Sequence, residues 1–393
     1  VVAHTLRAYL GDALFFSGLS SVLNNNQFTH INSYDFRNAL SASTGLDLTD
    51  FFNDWVFNPG FPHFSIDSVR SAPSGLNYEI NVYVKQKLKG APAFYTNVPM
   101  QISFMDDAWN SIDQNIVLSG QYSSFNFTLP FNPVFTTLNG DSKINQAVSD
   151  EQKVIKTTGS HNFALARMLL NVSSVSDSAL IKVEHNWAAP DDFWYLTPGL
   201  TISDYRYWKI DGILPENFKA NSRIYYDGRL TTGGGGGYLD NSLLGAIEDS
   251  IILLYRKDPS ENWREYEYYT QNQLGSSTPK YGYMTIDTLV FGEYTFAYGD
   301  KTTLNIVNNS TKENKIIIYP NPASSSFTVD FNNVSNTNYD VNIIDFSGKH
   351  VLKTNTSSNK IIIDSSKWNN GFYLVKIMDK TGDVAFKKLM LVK

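Results

Sequence analysis

The sequence has no cysteine. Thiol catalysis, disulfide frameworks and Cys-ligated zinc are therefore excluded. Missing cysteine does not argue for a reducing compartment, because an exported chain can simply avoid thiols. Charge is scarce too: Asp, Glu, Lys and Arg make up 18% of the chain and the net charge is −6, so nothing suits a polyanion and no nucleic-acid partner is expected. No apolar run approaches the ~20 residues of a membrane span, so none is expected. Arg7 and Asp12 interrupt any signal-peptide core and there is no initiator Met; the chain reads as the middle and end of something longer. Aromatic and aliphatic residues are abundant instead, at 42% hydrophobic and 14% aromatic with 23 Tyr and 25 Phe, which rules out general disorder. Together with many Asn and hydroxyl side chains, this is the composition of extracellular β-sheet proteins, whose aromatic and β-branched residues fit a pleated, half-buried surface. A length of 393 residues suits two to four domains.

Helical periodicity is confined to residues 1–62. Val2, Leu6 and Leu10 share a face that Gly11 ends; Asp12 is placed to cap a second helix carrying Leu14, Phe15, Leu19, Val22 and Leu23. Asn32 or Ser33 caps a third, ending at Gly45, and Asp47 with Asp50 starts a fourth bearing Phe51, Phe52, Trp55 and Val56, stopped by Asn58-Pro59-Gly60. From His63 the period becomes two, and several short strands to residue 156 predict a β-sandwich whose exit is the polar Asp150–Lys156. Residues 157–300 form a further β-rich module dense in Trp and Tyr, with Phe163–Leu170 expected as a short helix. The glycine run Gly233–Gly237 is a loop and not a phosphate cradle, since no Gly-Lys-Ser/Thr follows it. Lys301–Lys315 is a polar linker expected to act as a hinge. Residues 316–393 alternate again, with hairpin signals at Ser347-Gly348, Asn370-Gly371 and Thr381-Gly382, and read as an independent antiparallel sandwich. The fold class is thus mainly β and multi-domain: a short α-helical segment, two β-sandwich-like modules and a C-terminal antiparallel β-sandwich.

No active site assembles from these residues. The six histidines are His4, His30, His63, His161, His185 and His350; no two lie closer than 24 residues and none precedes Glu, so a helical His-Glu-x-x-His zinc site is missing. A Gly-x-Ser-x-Gly elbow is absent as well. Asp106-Asp107 and Asp191-Asp192 carry oxygens a calcium ion wants, but without further spaced ligands they read as solvated turns. Glu261, Glu265 and Glu267 read as strand-edge charges. Trp187, Trp194, Trp208 and Trp263, with Tyr195, Tyr205, Tyr207, Tyr268 and Tyr269, invite sugar stacking, yet at β-period they read more simply as core. No catalytic or metal-ligating residue is assigned, and the substrate-binding residues stay unassigned.

Two segments resemble known families. Leu6-Arg7-Ala8-Tyr9-Leu10-Gly11-Asp12, Phe16 with Gly18-Leu19, Asp35-Phe36-Arg37 with Ala39-Leu40, and Phe51-Phe52, Trp55-Val56 and Pro59-Gly60-Phe61-Pro62 resemble the end of the catalytic domain of aminopeptidase N-type zinc metallopeptidases (gluzincins), in family order over residues 1–62. In that family a β-sandwich follows, as the change of period at His63 suggests. The family's zinc-binding helix, downstream Glu ligand, Gly-Ala-Met-Glu-Asn-like motif and catalytic Tyr have no match here; they normally precede the Leu-Arg-x-Tyr-Leu-Gly block, so no functional residue is carried over. Ile318-Tyr319-Pro320-Asn321-Pro322-Ala323, Asp345-Phe346-Ser347-Gly348-Lys349, Gly371-Phe372-Tyr373-Leu374-Val375 and the closing Lys387–Lys393 resemble the C-terminal sorting domain of the type IX (Por) secretion system.

These resemblances imply the C-terminal part of a secreted zinc metallopeptidase from a Bacteroidetes-type bacterium. They imply no cofactor in this chain, zinc in the full-length parent, a peptide substrate for that parent, and the type IX machinery as partner of residues 316–393. The protein would reach the cell surface or medium through the periplasm and outer membrane. A surface-attached adhesion or glycan-binding protein, and a degenerate non-catalytic peptidase homologue, are the alternatives.

Overall fold

In the computed structural model, the described residues are 1–194, 199–229, 239–244, 250–274, 280–299, 316–331, 338–345, 349–379 and 384–392. The linker 301–315, the Gly233–Gly237 run, Ser347-Gly348, Thr381-Gly382 and Tyr195 lie outside them. The chain divides into two compact units, Val1–Asp300 and Lys301–Lys393.

The helical segment follows its stop signals. Helix Val2–Asn25 is broken at Gly11, whose φ of 70° a glycine adopts without strain. Asp12, expected as a cap, holds the Arg7 guanidinium through both oxygens at 2.7 and 2.8 Å. Ser33–Thr44 starts in a capping box: the Asn32 side chain accepts from the Tyr34 and Asp35 N–H groups, and Asp35 accepts from the Asn32 N–H. Gly45 ends it in the left-handed conformation. At Gly18 a Cβ would lie 2.8 Å from Thr44 and 2.9 Å from Leu40, so glycine is what lets these two helices touch. The fourth helix is a single turn, Thr49–Phe52, that widens into the π-turn Asn53–Phe57 and buries Phe51, Phe52 and Trp55.

Next comes a sandwich of two three-stranded antiparallel sheets: Phe61–Ser74, Asn77–Lys89 and Tyr122–Leu129 in one, and Ser111–Leu118, Val98–Met105 and Phe135–Leu138 in the other. Ile80, Val82 and Val84 face Val98, Met100, Ile102 and Phe104, and helical Leu6, Leu10, Leu40, Phe51 and Trp55 join the same core. A bulge at Asp67 ends the inward alternation of Phe64 and Ile66.

The second sandwich packs a seven-stranded sheet on a five-stranded one. Its boundary differs from the expected one. Asp150–Lys156, read as the exit of the first sandwich, falls almost wholly in the strand Val148–Ile155, which pairs with Ala179–Asn186 at the edge of the seven-stranded sheet. Its polar character is that of an edge strand, which charge protects from further pairing. Phe163–Leu170 is likewise not a helix. Gly159–Phe163 and Met168–Ser174 are paired strands around a turn, and Arg167 in the left-handed region (φ 52°) reverses the chain. Met168, Leu170 and Val172 then bury at period two, a pattern that a short apolar run shares with a helix.

In the C-terminal unit, Ile317–Tyr319, Ser326–Asp330 and Lys360–Asp364 form one sheet; His350–Thr356, Tyr339–Asp345, Gly371–Asp379 and Val384–Leu391 form the other. Phe327, Val329, Val341, Ile343, Val375, Ile377, Leu389 and Leu391 bury between them. Asn370-Gly371 is not a hairpin: Lys360–Asp364 and Gly371–Asp379 lie in different sheets, so this connection crosses between layers.

Candidate functional site

Two histidines that sequence spacing left undistinguished are fully buried. His63 Nε2 lies 2.8 Å from Asn186 Oδ1 and 3.3 Å from the Tyr207 hydroxyl, where the strand after the helical segment meets the second sandwich. Burial, with the nearby Lys87 ammonium, pushes its pKa down to about 4, so it is neutral in the fold. His185 stacks on Trp208 with ring centroids 4.5 Å apart and planes 2° from parallel; burial, with Arg206 and Arg167 close by, pushes its pKa well down. His161 contacts the Thr157 carbonyl and His350 the Asn342 side chain, while His4 and His30 are exposed. Among the described residues, no group of three or more His, Asp or Glu side chains could hold a metal ion.

The first member of each acidic pair has a structural role, while Asp107 and Asp192 are exposed. Asp106 accepts the Asn110 backbone N–H and side-chain amide, both at 2.8 Å, and closes a turn. Asp191 is engaged by Lys85 at 2.7 Å, Lys87 at 3.0 Å and Arg256 at 2.6 Å, and Arg256 also pairs with buried Glu293. Burial opposes its ionisation, but Lys87, Lys85 and Arg256 outweigh it and hold the carboxyl well below the usual range. This network, with Lys182 donating to the Thr137 hydroxyl at 2.6 Å, ties the two sandwiches together within Val1–Asp300. Glu261 accepts the Lys257 N–H and Glu265 the Tyr269 hydroxyl; Glu267 is exposed.

The aromatic density of residues 185–270 is mostly core. Trp208 and Tyr207 are buried, and so is Trp263, with the Arg256 guanidinium 4.4 Å from its ring centre. Trp187 is partly buried and donates to Ser149 Oγ at 2.9 Å, and Tyr269 is partly buried. Trp194, Tyr205 and Tyr268 are exposed.

In the C-terminal unit, the Tyr319-Pro320-Asn321-Pro322-Ala323 segment is built onto the last strand. The Asn321 side chain donates to the Lys388 carbonyl at 2.8 Å and accepts the Met390 N–H at 2.9 Å. Ala323 continues the ladder, its N–H donating to the Met390 carbonyl and its carbonyl accepting from Val392. The first and last quoted motifs of this module are thus one structural element, clasped across sixty-odd residues of chain.

Comparison with known proteins gives local matches. A 66-residue stretch is 36% identical to Aminopeptidase N of Lactococcus lactis subsp. lactis, covering 17% of this chain and 8% of that protein. Probable aminopeptidase 1 of Sulfurisphaera tokodaii shares 26% identity over 66 residues, again 17% of this chain and 8% of the relative. The chain therefore matches only a small part of either aminopeptidase. Among solved structures, PorZ, a surface component of the type-IX secretion system of Porphyromonas gingivalis, aligns at 8% identity over 82% of this chain and 75% of that one; its TM-score of 0.19 carries no weight for the fold. No described helix is long and apolar enough to cross a membrane. Residues 317–393 match the family described as "Secretion system C-terminal sorting domain", so the C-terminal unit is a type IX sorting domain and the protein is delivered to the cell surface or secreted.

Proposed function

We propose that this chain is the C-terminal part of a secreted aminopeptidase N-type zinc metallopeptidase, in which the helical segment completes the catalytic domain and the sorting domain directs export. The observation that carries the reading is apolar surface that the helical segment leaves open beside the core it shares with the first sandwich. The segment is sealed into that core by Phe51, Phe52 and Trp55. Beside that core a groove of about 420 Å³ opens, lined by Leu6, Phe15, Leu19, Ile31, Phe36 and Val56, and Leu14, Phe16, Leu23 and Phe28 are exposed elsewhere on the helical segment. An open apolar groove of this kind suits the packing of further protein. In this reading the zinc-bearing helices of the catalytic domain cover it, and similarity to two aminopeptidases over short stretches supports the choice. The described residues offer no ligand set for zinc, so none of them is given a step in peptide hydrolysis.

The test is to express the natural gene with the codons preceding Val1 and compare the product with Val1–Lys393. The longer protein should hold one zinc per molecule, hydrolyse aminoacyl p-nitroanilides in a chelator-sensitive way, and bind less of a hydrophobic dye. A longer protein with no His-Glu-x-x-His and no zinc would overturn the proposal.

A further inference from the structure

The outer face of the five-stranded sheet carries chemistry that neither peptide hydrolysis nor export uses. Along its strands the even-numbered residues Met168, Leu170, Ile224, Tyr226, Met284 and Ile286 fill the core. The odd-numbered residues therefore face outward. Strand register sets Tyr225 opposite Tyr283, Asp227 opposite Tyr281 and Arg223 opposite Leu169. The Tyr225 and Tyr283 rings lie 5.6 Å apart, with the Arg223 guanidinium 5.0 Å from the Tyr283 ring centre and that of Arg229 4.3 Å from Tyr281. A cleft of about 530 Å³ opens here, lined by Asn162, Arg167, Arg206, Tyr225, Arg229 and Tyr281. Beside it runs a polar ladder: Ser160 Oγ donates to Asn171, whose amide donates to Asn221 at 3.1 Å.

The charges around this cleft are unequal. Arg206 is neutralised by buried Asp240 and Arg229 by Asp227. Arg167 and Arg223 have no carboxylate partner among the described residues, and Arg223 Nε is buried without any hydrogen bond. A planar guanidinium left unpaired beside aromatic faces suits a carboxylate or sulfate, which it can bind bidentately. Tyrosine ring faces suit the C–H faces of a pyranose, and the amide and hydroxyl ladder suits its hydroxyls. Arg167 also occupies a left-handed turn position that glycine adopts freely, so its place there carries a conformational cost.

We propose that this face binds an anionic polysaccharide, with the sugar carboxylate or sulfate on Arg167 and Arg223 and pyranose faces on Tyr225, Tyr281 and Tyr283. The full chain is tested by affinity electrophoresis and calorimetry against polygalacturonate, dextran sulfate, neutral dextran and poly-glutamate at roughly physiological ionic strength. Binding to polygalacturonate, to dextran sulfate or to both, with none to neutral dextran, is the expected result; which polymer binds tells a carboxylate ligand from a sulfate one. Arg167→Gly, a substitution the turn favours, should keep the melting temperature and weaken binding about tenfold or more, the size of one charge-assisted contact. Arg223→Gln should do the same, and if it perturbs folding Arg167→Gly decides alone. Failure to bind either anionic polysaccharide, equal affinity for poly-glutamate, or unchanged affinity in the folded Arg167→Gly protein overturns the proposal.

Discussion

Replacing Trp55 by Ala tests how the helical segment is held. Its side chain is 7% exposed, meets the Tyr95 ring edge-on at 5.0 Å between centroids, and stacks on Phe51 at 6.3 Å. The indole N–H donates to the Tyr9 hydroxyl at 3.1 Å. Truncating a buried Trp to Ala costs about 3–5 kcal/mol through lost transfer energy and the cavity left behind. Losing the donor to the partly buried Tyr9 phenol adds about 1 kcal/mol. A total of about 4–6 kcal/mol should lower the melting temperature of Val1–Asp300 by roughly 8 °C or more, given about 2–4 °C per kcal/mol for a unit of this size. Urea unfolding of the full chain by circular dichroism measures it, with the transition of the C-terminal unit as internal reference. Trp55→Phe should cost far less, and the double-mutant cycle with Tyr9→Phe should return about 1 kcal/mol of coupling for the hydrogen bond. A Trp55→Ala cost under about 1 kcal/mol would refute the claim that this ring seals the helices onto the sandwich.

Three further outcomes follow from the buried polar groups and the clasp. His63 titrates at about 4 in the fold against 6.5 unfolded, so between those values the unfolded state holds more protons. Stability should be intact above pH 6.5 and fall by up to about 3 kcal/mol as the pH drops to 4, with a shallower fall in His63→Gln, as read by melting temperature against pH. Asp191→Asn leaves Arg256, Lys85 and Lys87 short of their shared anion and should cost about 3 kcal/mol in urea unfolding. Asn321→Ala removes both hydrogen bonds clasping the last strand; it should destabilise the C-terminal unit by about 1–2 kcal/mol and reduce surface delivery of a reporter fused to residues 301–393, which the unsubstituted fusion should support.

The mainly β class, the helical start, the Gly11 break, the Asn32 cap and the Gly45 stop were legible in the sequence, because local backbone preference and capping chemistry act within a few residues. The sorting module was legible too, as its quoted motifs lie within residues 317–393, the stretch that matches the sorting-domain family. What tertiary structure alone decided lies at long range. Asp150–Lys156 looks like a polar exit until the pairing of Val148–Ile155 with Ala179–Asn186 makes most of it an edge strand. The burial of His63 against Asn186 and Tyr207 joins residues 123 and 144 positions apart, a distance at which no periodicity speaks. Asp191 resembles a loop acid in sequence, and only the approach of Lys85, Lys87 and Arg256 makes it the anion of an ion network. The arginine and tyrosine face arises in the same way. Arg223 and Tyr225 come from strand Lys219–Asp227, Tyr281 and Tyr283 from strand Tyr281–Ile286 and Arg167 from the turn before Met168–Ser174; sheet register, set by the burial of even-numbered neighbours, brings the strand residues to one surface.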